Sequence, residues 1–69
     1  MINDHDKVKL YEGSRETKAL TGMIFELSLQ EYKDFNWNFD NFYYIVEGIE
    51  VLDKNQADII FKKLNTANH

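Results

Sequence analysis

The sequence predicts an α+β domain, a small antiparallel β-sheet packed against a C-terminal α-helix with a short helix inserted between strands. Three observations carry that expectation. Polar and apolar residues alternate over 7–12 and 18–27, which is the period of a half-buried strand. Phe42-Tyr43-Tyr44-Ile45-Val46 is dense in aromatic and β-branched residues that suit a pleated surface. Ala57, Ile60, Phe61 and Leu64 fall at i, i+3, i+4 and i+7, the stripe of an amphipathic helix.

The elements follow in order. Lys7 to Glu12 reads as a first strand with Val8 and Leu10 on one face and lysines on the other. Gly13-Ser14-Arg15-Glu16 supplies turn chemistry. Lys18 to Leu27 returns as the second arm of a hairpin, with Ala19, Thr21, Met23, Phe25 and Leu27 at every second position. Gly22 interrupts that arm and marks a bulge or a close backbone approach.

Ser28, with Glu31 three residues later, forms a capping-box pattern that starts a short helix over about 29–36. Phe35-Asn36-Trp37-Asn38-Phe39 also alternates strictly, so an extended strand is the rival reading there. Phe42 to Val46 is expected to be a central strand, and Glu47-Gly48 either a bulge or the turn into a second short strand over 49–52. Asp53, with Gln56 three positions on, caps the final helix. Asp58 near its start and Lys62 and Lys63 near its end suit the helix dipole. Residues 1–6 and 66–69 read as frayed ends of a single domain spanning 1–69.

Size limits what such a domain can do. Sixty-nine residues hold one thin core. With Cys 0 no disulfide supplements it, and the two histidines, His5 and His69, stand at opposite ends of the chain, so no metal site is expected. Self-association is the remaining supplement, and a homo-oligomer is expected. The formal net charge of -4 opposes binding to phosphate backbones and anionic lipid. No apolar run approaches a membrane span and no charged-then-apolar leader opens the chain, so a cytoplasmic protein with no membrane and no direct nucleic-acid contact is expected. Lys 7 and Asn 7 against Arg 1 and Pro 0 fit an AT-rich genome, that of a low-GC bacterium or of a phage or mobile element within one.

No catalytic constellation is visible. Ser14, Ser28 and the threonines have no histidine within a structured segment, and three scattered glycines make no phosphate loop. Asp4-His5-Asp6 cannot close a coordination shell alone. The chain is therefore expected to be a non-enzyme without cofactors, and the unusual stretch is 34–53. It carries Asp34, Asp40, Glu47, Glu50 and Asp53, no Lys or Arg, and six aromatic residues. Alternating strand positions point to opposite faces, so some of these rings are expected to be exposed. Trp37, Phe39 and Tyr43 with Asp40, Glu47 and Glu50 then form an acidic aromatic binding surface for another protein of basic character, as in an inhibitor or regulator. The alternative is an acidic mimic of nucleic acid that blocks a DNA- or RNA-handling enzyme.

Overall fold

In the computed structural model, which describes residues 7–66, four antiparallel strands and two helices follow one another as β1 (Val8–Ser14), β2 (Leu20–Leu27), α1 (Leu29–Lys33), β3 (Phe42–Val46), β4 (Ile49–Val51) and α2 (Lys54–Thr66). The strand order β2-β1-β3-β4 makes β1 and β3 central and leaves β2 and β4 as edges. The expected α+β architecture is observed. The frayed reading of 1–6, together with His5, His69 and Asp4-His5-Asp6, lies outside the described residues, whereas Thr66 is the last residue of α2.

Alternation builds β1 as its sequence requires. Val8 and Leu10 are buried while Lys7 and Lys9 are exposed. The strand runs two residues past its expected end, because Gly13 and Ser14 stay in the ladder opposite Tyr43 and Phe42. Gly13 is thus a strand residue and not a turn residue. A Cβ there would fall within the ring of Tyr43, which lies across β1 at this point. The reversal is made instead by Arg15 to Ala19, closed by Lys18 N–H donating to the Ser14 carbonyl and Ser14 N–H to that of Ala19 (2.8 and 2.9 Å), with Lys18 at φ 60°.

The second arm begins at Leu20, two residues later than expected, and carries the bulge that Gly22 signals. Tyr11 faces Ile24 while Gly13 faces Leu20, so two steps on β1 oppose four on β2, with Gly22 at φ 97°. Only Phe25 and Leu27 of the expected buried set are half-covered; Ala19, Thr21 and Met23 are exposed.

The capping box at α1 is complete. Glu31 N–H donates to the Ser28 hydroxyl (3.1 Å), and Ser28 N–H to the Glu31 carboxylate (2.7 Å). That bond, then the Ser28 hydroxyl, then Lys7 at 3.7 Å hold the Glu31 carboxyl below its ordinary pKa. The helix ends at Lys33, not near Asn36. Residues 35–39 are neither helix nor paired strand. Their alternation survives in burial: Phe35, Trp37 and Phe39 are half-buried while Asn36, Asn38 and Asp40 are exposed. Among the described residues no strand pairs with this segment; Asn38 N–H donates to the buried Tyr44 hydroxyl (3.1 Å), Trp37 N–H to the Phe35 carbonyl and Phe42 N–H to that of Asn38 (both 3.1 Å).

Glu47-Gly48 is a hairpin turn. Val46 pairs with Ile49, and the two loop residues both take positive φ, 52° and 76°, the two-residue type I′ geometry. Asp53 caps α2 through Gln56 N–H to its carboxylate (2.8 Å), and the Gln56 side chain accepts from Leu52 N–H (2.6 Å), one residue earlier than the usual reciprocal bond. The stripe on α2 packs as its spacing requires, with Ala57 and Ile60 buried and Phe61 and Leu64 against the core.

Both helices cover one face of the sheet. The core is Val8, Leu10, Tyr44, Val46 and Val51 from the strands with Tyr32, Ala57 and Ile60 from the helices. Tyr32 bridges the two helices by donating its hydroxyl to the Ala57 carbonyl (2.7 Å).

Candidate interaction surface

The segment 35–39 turns its aromatic side onto the core face. Trp37 meets Tyr32, Phe35 and Tyr44 edge to face, with centroids 5.2, 4.8 and 5.1 Å apart, and stacks on Phe39 at 5.3 Å. Phe35 reaches Phe25 at 5.2 Å. Trp37 and Phe39 are therefore parts of an aromatic layer over the core, where an exposed anchor was expected. The expectation rested on six aromatics in 34–53 being too many for a thin core to enclose. In the structure Phe35, Trp37 and Phe39 all turn to one side of the segment and gather over Tyr44.

Tyr43 points the other way. It lies beyond Gly13 on the face opposite the helices, with Glu50 on the same side. Asp40 is exposed in the turn before β3, and Glu47 is exposed in the β3–β4 turn. The structure thus brings Tyr43 together with Glu50, and Trp37 with Phe39, and does not join the two pairs. Asp34 follows α1 and Asp53 caps α2, so the five acids of 34–53 are scattered over the molecule. Neither acidic steering of a basic partner nor a carboxylate array gains support from that placement.

The side of the sheet away from the helices was not anticipated. Residues directly opposite in antiparallel strands share a face, and the register defines three rows there. The first is Glu26–Lys9, the second Ile24–Tyr11–Ile45–Glu50, and the third Leu20–Gly13–Tyr43. Among the described residues no element lies over these rows. Leu20 and Ile24 are each 52% exposed, and Tyr11, Tyr43 and Ile45 are half-buried by their neighbours in the sheet alone. At the end of the third row Arg15 and Lys18 join Tyr43, Glu50 and Leu52 around a shallow depression of about 280 Å³. The Arg15 guanidinium is fixed there by donating to the carbonyls of Leu52 (2.6 Å) and Phe42 (3.1 Å). A signal for this surface does exist in the sequence: Leu20, Ile24, Tyr11 and Ile45 are apolar residues on the parity that the alternation reserves for solvent.

A second concavity, about 480 Å³, lies between the helices over Tyr32, Trp37 and Phe61, with Lys33, Asp34, Lys54 and Asp58 at its rim. Its charges are largely satisfied locally. Lys54 pairs with Asp58 at 2.6 Å, and Asp34 accepts from Gln30 at 2.8 Å. Burial, and then the Asp58 carboxylate, push the Tyr32 phenol up to about 12. Burial also raises Tyr44. Neither phenol is primed as a base or nucleophile. Among the described residues there is no cluster of three or more His, Cys, Asp or Glu that could hold a metal, and no helix long and apolar enough to cross a membrane.

These features define the class: a small α+β domain with helices on one face of an antiparallel sheet and an apolar, uncovered opposite face. No family model matches the chain, and comparison with curated proteins and with solved structures gives no match.

Proposed function

We propose that this chain is a non-catalytic protein-binding module whose binding surface is the uncovered face of the sheet. The observation that supports this most is the row Ile24–Tyr11–Ile45 beside Leu20 and Tyr43, a contiguous apolar area centred on tyrosines and aliphatic residues, with Leu20 and Ile24 half in solvent. Burying such an area against another protein is favourable at about 25 cal/mol per Å², and apolar patches of this kind with a charged rim are characteristic of interaction sites. An inhibitor or regulator acting in the cytoplasm by occupying a partner's surface fits this reading. Tyr43 and Glu50 remain candidate contact residues, while Trp37 and Phe39 act by holding the fold.

The test is affinity capture from the source cell with the wild-type chain and with a Leu20→Glu/Ile24→Glu variant as parallel baits, read by mass spectrometry. A protein retained by the wild type and lost from the variant, whether another chain or further copies of this one, is the expected result. Retention of the same proteins by both baits would overturn the proposal.

A further inference from the structure

We infer that the occupant of the uncovered face is a second copy of this chain, docked sheet to sheet about a two-fold axis that runs across the strands. This rests on the protein-binding reading above and adds the partner and the geometry.

Approach by strand addition is obstructed at both edges. The β2 edge is interrupted near its start by the Gly22 bulge, where the Met23 N–H already donates to the Thr21 hydroxyl (3.2 Å). The β4 edge is only three residues long. A partner must therefore come onto the face. That face is level where a side chain would otherwise stand up from β1, because the Tyr43 ring lies across Gly13. A level pleated surface of aromatic and aliphatic residues suits another sheet face, at the spacing of about 10 Å and the crossing angle of roughly 30° that packed sheets adopt. A second copy carries such a face.

Charge selects the copy over a strongly charged partner. The chain as a whole is -4, yet this face and its rim carry Lys9, Arg15 and Lys18 against Glu26 and Glu50, a near balance. A basic protein would gain little from it. In a two-fold interface one patch meets itself, so a patch that carries both signs can pair its own charges. With the axis between the row of Ile24 and the row of Leu20, Ile24 of each copy faces Leu20 of the other and Ile45 faces Tyr43. The same operation brings Lys18 of one copy toward Glu26 of its mate, while Arg15 stays committed to its backbone carbonyls. Four strands at about 4.8 Å and seven residues at about 3.3 Å give a footprint on the order of 400 Å². That is small for a specific interface, so the dimer is expected to dissociate in the micromolar range and not to be obligate.

The experiment is sedimentation velocity on the purified 69-residue chain from low to high micromolar concentration, with far-UV circular dichroism on each variant. Wild type is expected to shift reversibly from 8.2 kDa toward twice that mass. Ile24→Glu, and independently Leu20→Glu, are expected to stay folded and monomeric throughout. Lys18→Glu and Glu26→Lys are each expected to weaken the dimer several-fold, and their combination to recover most of the loss. A monomer at every concentration, or a dimer indifferent to both Ile24→Glu and Leu20→Glu, would overturn the inference, as would a double charge exchange no better than its singles. If the chain is monomeric while the cell-extract bait still retains a different protein through this face, the inference fails and the protein-binding reading stands. If neither occurs, both fail.

Discussion

Trp37→Ala separates the two roles that its sequence and its structure assign to the residue. An exposed anchor would be removed at a cost within about 0.5 kcal/mol. The structure places the indole among four rings, at centroid distances of 4.8 to 5.3 Å, over the buried Tyr32 and Tyr44. Truncating a fully buried aromatic to alanine costs about 3–5 kcal/mol. Trp37 is half-buried, which reduces the transfer contribution, but each ring pair adds about 0.5–1.5 kcal/mol beyond area. These contributions overlap, and a net loss of about 3 kcal/mol is expected. For a domain of this length total stability is roughly 3–10 kcal/mol, and a loss of that size lowers Tm by more than about 10 °C. The assay is thermal unfolding followed by far-UV circular dichroism, since the variant lacks the one tryptophan. Trp37→Phe keeps part of the ring contact and should fall between. A Trp37→Ala transition within about 3 °C of wild type would refute the aromatic layer and return Trp37 to the surface.

Three further outcomes follow from particular geometries. The Tyr32 phenol ionises near 10 in the unfolded chain and at about 12 in the fold, chiefly through burial. Stability from this group is full below pH 10 and is lost as pH rises toward 12; denaturant titrations should show that decline, and Tyr32→Phe should flatten it while costing about 1 kcal/mol at neutral pH through the lost bond to Ala57. Gly13→Ala should displace the Tyr43 ring and destabilise by about 1–3 kcal/mol, with altered Tyr43 resonances by NMR; a variant with native stability and an unmoved ring would contradict the close packing. Glu47 takes a left-handed φ of 52° that asparagine tolerates better, so Glu47→Asn should raise stability by a few tenths of a kcal/mol in chemical denaturation, whereas a loss would contradict the type I′ turn.

The parts of the fold legible in the sequence are those set by neighbours in the chain. Ser28 and Glu31 fix the start of α1 because both capping bonds are local, and the spacing of Ala57, Ile60, Phe61 and Leu64 fixes the buried stripe of α2. Gly22 announces its bulge because few other residues accept that backbone. What local pattern cannot show is which side of a strand receives cover. Phe35, Trp37 and Phe39 alternate like a strand, but whether a ladder partner exists depends on the strand order, which long-range pairing decides. Gly13 reads as a turn residue until Tyr43, thirty positions later, is found lying across it. The same limit hid the uncovered face. Tyr11, Ile24 and Ile45 belong to three strands, and only the register aligns them in one row.

The claim that this row and its neighbours are where two copies of the chain meet is tested most directly by recording amide NMR spectra of the wild-type chain over a dilution series. Concentration-dependent shifts are expected at Lys9, Tyr11, Gly13, Leu20, Ile24, Tyr43, Ile45 and Glu50, with Tyr32, Trp37 and Phe61 between the helices unchanged. Shifts concentrated in the groove of Tyr32, Trp37 and Phe61, or spectra that do not change from low to high micromolar concentration, would contradict it.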